Sequence, residues 1–267
     1  MTSERYTHGH HESVLRSHLW RTAENSAGFL LPELRDDAVV LDVGCGPGNI
    51  TADLAARVAR GTVTGIDQSV DVVSRASRDF APDDHPNLHF AVGDVFALAF
   101  DDASFDVVYV HQVLQHLSEP VEALKEMRRV LKVGGVLAAR DADYGGFIWH
   151  PGDPLLDQWM DLYHRVTERN GAQADGGRHL KGWVRAAGFD DMTVTTSNWT
   201  YESDAEREWW GGSWADRVVQ SDFARQALEY QLATAEELSA ISAAFLRWAK
   251  EPDAIFVVPS VEVLARR

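Results

Sequence analysis

Residues 39–51 read VVLDVGCGPGNIT, and this stretch decides the fold. The β-branched apolar run at 39–43 is typical of a buried strand, and three glycines follow it directly. Apolar residues at four-residue spacing then predict an amphipathic helix from Ile50 onward. Glycine permits a tight turn and lets a ligand lie against main-chain N–H groups, and a helix N-terminus favours an anion. The stretch therefore predicts a strand, a ligand-binding loop and a helix.

The rest of the chain repeats this alternation of short apolar runs and helical stretches. The further strand candidates are residues 63–66, 88–92, 105–110, 136–139, 192–199 and 261–264. Strands separated by helices favour a parallel sheet that is covered on both faces. We therefore expect an α/β fold with a seven-stranded, mostly parallel sheet.

The glycine spacing separates two classes of nucleotide-binding loop. Counted from Gly44, the chain reads G-x-G-x-G, with Asp42 two residues upstream. The dinucleotide fingerprint G-x-G-x-x-G would place its last glycine where Asn49 stands. The loop is thus a poor match to a pyridine-dinucleotide site.

Two further acids follow predicted strands. Asp67 lies in the segment GIDQ at 65–68, and Asp94 lies in VGDV at 92–95. A strand-end carboxylate can accept hydrogen bonds from two neighbouring hydroxyls. Taken alone, Asp67 could be a solvated acid and Asp94 a turn residue.

With these motifs in this order, residues 39–136 resemble the class I S-adenosylmethionine-dependent methyltransferases, and within them the small-molecule group of the ubiquinone and menaquinone enzymes. The resemblance implies a Rossmann-like, doubly wound sheet with helices on both faces and a helical cap, and S-adenosyl-L-methionine as cofactor. It also implies that certain residues contact the methionyl group, the ribose and the adenine. These residues are Asp42, Gly44, Cys45, Gly46, Asp67, Gln68, Gly93, Asp94, Val95, His111 and Gln112.

The same resemblance implies an N-terminal segment that folds over the cofactor. We expect four regions: a helical segment at 1–37, a Rossmann-like core at 38–200, a helical cap at 201–253 and a final core strand at 254–267. In the first region, Tyr6, Trp20 and Arg21 are expected to line the closed site.

Methyl transfer from a sulfonium needs an aligned acceptor, and a weak nucleophile also benefits from a general base. His111 follows the fourth strand and is our candidate base, with a pocket-lining role as the alternative. Asp141 and Tyr144 follow the fifth strand, at the rim where open α/β sheets bind ligands, and we expect them to touch the acceptor. We expect His116 to serve packing or capping.

Four tryptophans crowd the predicted cap and its approach: Trp199, Trp209, Trp210 and Trp214. Core packing is the ordinary explanation for aromatic residues at helical spacing. A cap above a cleft could also stack a flat substrate. We therefore predict methyl transfer to O, N or C of a small aromatic metabolite of secondary metabolism. The alternatives are a cofactor-dependent enzyme that transfers no methyl group and a non-catalytic cofactor-binding protein.

Composition restricts the partners. The chain has 41 acidic and 25 basic residues, a net charge of −16, which argues against nucleic acid. The single cysteine excludes an internal disulfide and a multi-thiolate metal site, and the N-terminal histidines do not indicate a metal either. No apolar run approaches the roughly 18 residues of a membrane span. We expect a cytoplasmic protein with a small-molecule substrate, no metal and a possible homodimer.

Overall fold

The computed structural model describes Thr7 and residues 20–267. These residues form one eight-stranded sheet with helices around it. The strands are β1 (Val39–Val43), β2 (Thr62–Asp67), β3 (Leu88–Val92), β4 (Phe105–His111), β5 (Leu131–Ala142), β6 (Ile148–His150), β7 (Asp191–Tyr201) and β8 (Ile255–Arg266). The helices are α1 (Ala23–Ala27), α2 (Asn49–Arg57), α3 (Val70–Asp79), α4 (Pro120–Val130), α5 (Pro154–Arg169), α6 (Gly176–Ala186), α7 (Asp204–Gln220), α8 (Asp222–Glu229) and α9 (Ala235–Trp248).

The strand order is β3-β2-β1-β4-β5-β8-β6, and β7 also pairs with β8. Strands β5 and β6 pair with different parts of β8, whereas β7 pairs along nearly its whole length. Strands β1 to β5 are mutually parallel, whereas β8 is antiparallel to β5, β6 and β7. The predicted mostly parallel α/β sheet is confirmed. It has eight strands instead of seven, because the three-residue β6 pairs with the beginning of β8.

Apolar clusters cover both faces of the sheet. Helices α1 and α2 pack on one face, around Val40, Val63 and Tyr109. Helices α4 and α6 pack on the other, around Leu41 and Val110. This burial on both sides explains why β1 and β4 are largely apolar instead of alternating between apolar and polar residues.

A third apolar cluster joins α5, α7, α8 and α9 to the ends of β7 and β8. Its centre is aromatic: Trp159 and Trp214 meet edge to face with ring centroids 4.5 Å apart. The helices predicted at 201–253 thus pack together with α5, which precedes β7 in the chain.

The N-terminal region is described only in part. In the described part of the segment expected to be helical, the short α1 is observed, and Tyr6 and the N-terminal histidines lie outside the described residues. Thr7 is fully buried, and its hydroxyl accepts a hydrogen bond of 3.0 Å from Nδ2 of Asn170, the residue after α5.

Candidate active site

A cavity of about 800 Å³ lies at the carboxyl ends of the parallel strands. Open α/β sheets place ligands at this edge. Because β1, β2 and β3 lie on one side of β4, and β5, β8 and β7 on the other, the wall has two parts. The acidic half consists of residues 44–47 of the glycine loop with Asp42, Asp67 and Asp94. The aromatic half consists of Tyr144, Phe147, Trp199, Tyr201, Trp209, Trp210 and Trp214.

The glycine loop turns tightly between β1 and α2. Gly44, Gly46 and Gly48 have φ values of 74°, 54° and 88°, a region that strongly favours glycine. A Cβ on Gly44 would lie 2.3 Å from Cγ2 of Val113, so the position also lacks room for a side chain. These two constraints explain the glycines independently of any ligand.

The main-chain donors of this loop bind within the protein. The N–H groups of Gly44 and Cys45 both donate to the carbonyl of Ile66, at 2.8 and 2.9 Å. The N–H of Gly46 donates to Oδ2 of Asp67 at 3.2 Å. The expectation that a ligand lies on main-chain N–H groups is therefore wrong for Gly44 and Cys45, whose donors hold the loop to β2.

Asp42 is buried at the end of β1, with 3% of its surface exposed. Its Oδ2 accepts a hydrogen bond of 2.6 Å from the Thr51 hydroxyl on α2. Burial raises the pKa of Asp42 to about 7, the charge of Asp67 adds to this effect, and the Thr51 bond opposes it. An ammonium group placed beside Asp42 would favour its ionised form.

Asp67 and Asp94 both line the cavity and also order their own loops. Asp67 Oδ1 accepts from the Ser69 N–H at 3.0 Å, and Asp94 Oδ1 accepts from the Phe96 N–H at 2.9 Å. Each carboxylate thus stabilises its own loop, at the position where cofactor binding was predicted. Gln68, Gly93 and Val95 also line the cavity.

His111 and Gln112 lie at the end of β4, where the two halves meet. The His111 ring is buried, stacks on Tyr109 with centroids 6.2 Å apart and meets Trp199 edge to face at 5.8 Å. Gln112 has a φ of 52°, and its Oε1 accepts a hydrogen bond of 2.8 Å from Arg21. The cavity lining includes His111, Gln112, Trp199 and Arg21, but not Tyr109.

Tyr144 and Asp141 occupy different environments. Tyr144 lines the cavity between Phe147 and Tyr163, with ring centroids at 4.4 and 4.1 Å, and burial raises the pKa of its phenol. Asp141 does not line the cavity and is 1% exposed. Burial holds the pKa of Asp141 well above its ordinary value, although the main-chain N–H of Gln115 opposes the shift.

The structure therefore does not place Asp141 at the cavity, and its contact with the acceptor stays a prediction. Side chains alternate between the two faces of a strand, and Ala142, the next residue of β5, lines the cavity in its place. Trp20 also lies outside the lining residues. It packs behind the wall, with ring centroids 5.5 Å from Trp199 and 5.9 Å from Trp209.

Several lining residues were missed from the sequence. Arg217, Tyr201 and Phe147 complete the aromatic half, and His116 lies near the opening of α4. Trp210, Trp214 and Arg217 follow one another at four- and three-residue spacing on α7, a pattern that could have indicated a shared face. Burial lowers the pKa of His116 to about 3, and the charge of Arg21 contributes, so its ring is neutral at neutral pH.

Within residues 20–267, no group of three or more His, Cys, Asp or Glu side chains could hold a metal ion. No helix in this part of the chain is long and apolar enough to cross a membrane.

A family model described as a methyltransferase domain matches residues 41–139. The chain is also similar to a probable methyltransferase of Aspergillus luteorubrus, with 30% identity over 276 residues that cover 97% of this chain and 96% of the relative. The chain belongs to the class I S-adenosylmethionine-dependent methyltransferases. An uncharacterized methyltransferase of Schizosaccharomyces pombe is 28% identical over 271 residues, covering 98% of this chain and 96% of its own.

The resemblance to the quinone-type enzymes is confirmed as well. A demethylmenaquinone methyltransferase of Lactococcus lactis is 33% identical over 127 residues, which cover 47% of this methyltransferase and 48% of the relative. Among solved structures, the YcgJ protein of Bacillus subtilis shares the fold, with a TM-score of 0.59, 21% identity, and coverage of 90% of this chain and 97% of its own.

Proposed function

We propose that this methyltransferase moves the methyl group of S-adenosylmethionine to an O, N or C atom of a small aromatic metabolite. The observation that carries the proposal is the continuous cavity that joins the acidic half to the aromatic half. A pocket with an apolar aromatic wall and a few polar groups suits a flat organic acceptor. The demethylmenaquinone relative, whose name indicates a quinone substrate, supports a ring-shaped acceptor.

In this proposal the acidic half holds the cofactor. Asp42 faces its amino group, which would restore the ionised form of a carboxylate whose pKa burial raises to about 7. Asp67 and Gln68 hold the ribose hydroxyls, and Asp94, with Gly93 and Val95, holds the adenine. Gly44, Cys45 and Gly46 pack against the methionyl part. When bound, the cofactor supplies an electrophilic methyl group on a sulfonium.

Residues at the junction of the two halves act on the acceptor. His111 accepts the proton that the acceptor loses, since its imidazole lies at the end of β4 and lines the cavity. The phenol of Tyr144 stays protonated because burial raises its pKa, so it positions the acceptor instead of removing a proton. Gln112 fixes Arg21 at the same junction.

We further propose that the N-terminal segment 1–37 and the helical cap 201–253 exclude water from the core formed by 38–200 and 254–267. The buried Thr7 and its hydrogen bond to Asn170 support a segment that packs on the helical cluster. Excluding water strengthens the electrostatic interactions inside the cavity and protects the reaction.

The test is to incubate the purified protein with S-adenosylmethionine labelled in its methyl group and a metabolite extract. We expect one labelled small molecule, identified by mass spectrometry, with release of an equal amount of S-adenosylhomocysteine. An unlabelled new product would instead indicate a rearrangement or a transfer of another group. Cofactor binding without any product would indicate a non-catalytic protein.

The identified acceptor then tests His111. We expect His111→Gln to lower kcat by about 10²-fold or more, the usual contribution of a general base. A high-pH assay should recover part of the loss, because the acceptor then ionises without help. Full turnover by the variant at neutral pH would show that His111 only lines the pocket.

A further inference from the structure

The charges on the cavity wall are separated by sign. The described carboxylates of the wall are Asp42, Asp67 and Asp94, at the ends of β1 to β3, and Glu119 at the start of α4. The guanidinium groups of the described wall are those of Arg21 and Arg217. Arg217 lies beside Trp214 in the aromatic half, and Arg21 lies where the two halves meet, bonded to Gln112. A chain with a net charge of −16 thus presents two cations where the acceptor is proposed to bind.

Arg217 is built into this wall. It lies in the last turn of α7, is only 5% exposed, and its Cζ lies 4.5 Å from the ring centroid of Trp214. Stacking of this kind fixes the plane of a guanidinium, whose edge carries the hydrogen-bond donors.

Arg21 brings a second positive charge to the same region. Its Nη2 donates to Oε1 of Gln112, a neutral amide, and its Cζ lies 5.4 Å from the ring centroid of Trp199. The two arginines act on shared neighbours. Burial raises the pKa values of Tyr144 and Tyr201, and the charges of both arginines oppose this larger effect. Their fields therefore overlap within the aromatic half.

We propose that the acceptor is an aromatic carboxylate, with its ring against the aromatic wall and its carboxylate on Arg217, while Arg21 adds to the positive field. This inference rests on the proposed function and specifies its substrate class. Planar guanidinium and carboxylate groups can pair through two parallel hydrogen bonds, which selects for a flat anion. The separation of charge also assigns each ligand its place, because the cationic cofactor prefers the acidic half and the anionic acceptor the other.

The test compares shape-matched probes on the protein saturated with S-adenosylhomocysteine. 2-Naphthoate and 2-naphthamide, and benzoate and benzamide, are titrated by calorimetry. We expect each acid to bind at least about tenfold more tightly than its amide, the usual gain from a charged hydrogen-bonded pair. Arg217→Gln should remove the preference, and Arg217→Lys should keep part of it.

Arg225→Gln provides the matched control, because Arg225 lies on the exposed side of α8 and pairs there with Asp222 and Glu229. Equal binding of acid and amide, no binding of any acid, or a preference that survives Arg217→Gln would overturn the inference. If Arg217→Gln fails to fold, the acid-to-amide ratio of the natural protein decides alone. Failure to bind S-adenosylhomocysteine at the outset would count against the proposed function instead.

Discussion

Two glycines with almost the same backbone conformation differ sharply in their surroundings. Gly44 has a φ of 74° and a Val113 methyl 2.3 Å from the position of a Cβ, whereas Gly134 has a φ of 78° and nothing within 4 Å. The pair therefore separates the cost of the conformation from the cost of the contact. The first cost is about 1–2 kcal/mol for a residue other than glycine.

We predict that Gly134→Ala loses about 1–2 kcal/mol of unfolding free energy. Gly44→Ala should lose more than that, because Val113 and the loop must also move. Affinity for S-adenosylhomocysteine should fall more than about tenfold in Gly44→Ala and stay unchanged in Gly134→Ala. Urea denaturation and calorimetry measure the two quantities. Equal cofactor affinity in the two variants would contradict the role of the loop.

Asp42 should make the stability of the cofactor-free protein depend on pH. Burial raises its pKa to about 7 in the folded state, from 3.8. A raised pKa means that the folded protein binds the proton more tightly than the unfolded chain, so stability falls as pH rises from about 4 to 7. A difference of three pKa units corresponds to a cost on the order of 4 kcal/mol above pH 7.

We predict that Asp42→Asn is more stable than the natural protein at pH 8 and about equally stable near pH 4. Urea denaturation without cofactor at both pH values measures the difference. Asp83→Asn, at an exposed position, serves as the control and should show no such gain. If the Asp42→Asn variant is instead less stable at pH 8, Asp42 is ionised and well paired in the folded state.

The sequence predicts the site residues unevenly, for a physical reason. The acids at 42, 67 and 94 lie within two residues of the end of a parallel strand, so the strand pattern alone brings them to one edge. Asp141 does not line the cavity because its neighbour Ala142 faces it, a choice of strand face that the sequence does not reveal. Arg217 was missed because a helix distant in the chain carries it to the wall.

Among the elements, α7 contributes three of the seven rings of the aromatic half, more than any other element. Trp210 is 6% exposed and stacks on Tyr201 of β7 with ring centroids 4.3 Å apart. Trp183 on α6 is half-buried, stacks on His179 and does not line the cavity. Trp210 is therefore a residue of the cavity wall, whereas Trp183 serves packing away from the cavity.

We predict that Trp210→Phe raises KM for the acceptor several-fold with KM for the cofactor unchanged, because stacking area is lost only in the aromatic half. Trp183→Phe should change neither value. Phenylalanine is preferred to alanine, since removing a buried tryptophan costs about 3–5 kcal/mol and would confuse stability with binding. Unchanged kinetics in Trp210→Phe would place the acceptor elsewhere.

Helix boundaries were predictable where capping residues mark them. Asp153 caps α5 through the Leu155 N–H at 2.9 Å, so the helix begins at Pro154. Ser203 with Glu206, and Thr234 with Glu237, form capping boxes that open α7 and α9. These pairs divide the stretch at 201–253 into separate helices, a division that apolar periodicity alone does not show.

For the whole molecule, the sheet followed from the rhythm of apolar runs, since the central strands β1, β4 and β5 bury side chains on both faces. The short β6 escaped prediction because three residues in a segment rich in glycine and proline carry too little pattern. The net charge of −16 was equally uninformative about the cavity. Only the fold brings Arg21 and Arg217, which are distant in the chain, to the wall of one cavity.

Cys45 gives this chain a built-in reporter. It is the single thiol in 267 residues, it is 8% exposed, and burial together with the charges of Asp42 and Asp67 raises its pKa. Alkylating reagents consume thiolates, so they should react with Cys45 when the turn after β1 opens, and slowly while it is closed. The rate of alkylation therefore measures how often this turn opens, without any engineered label.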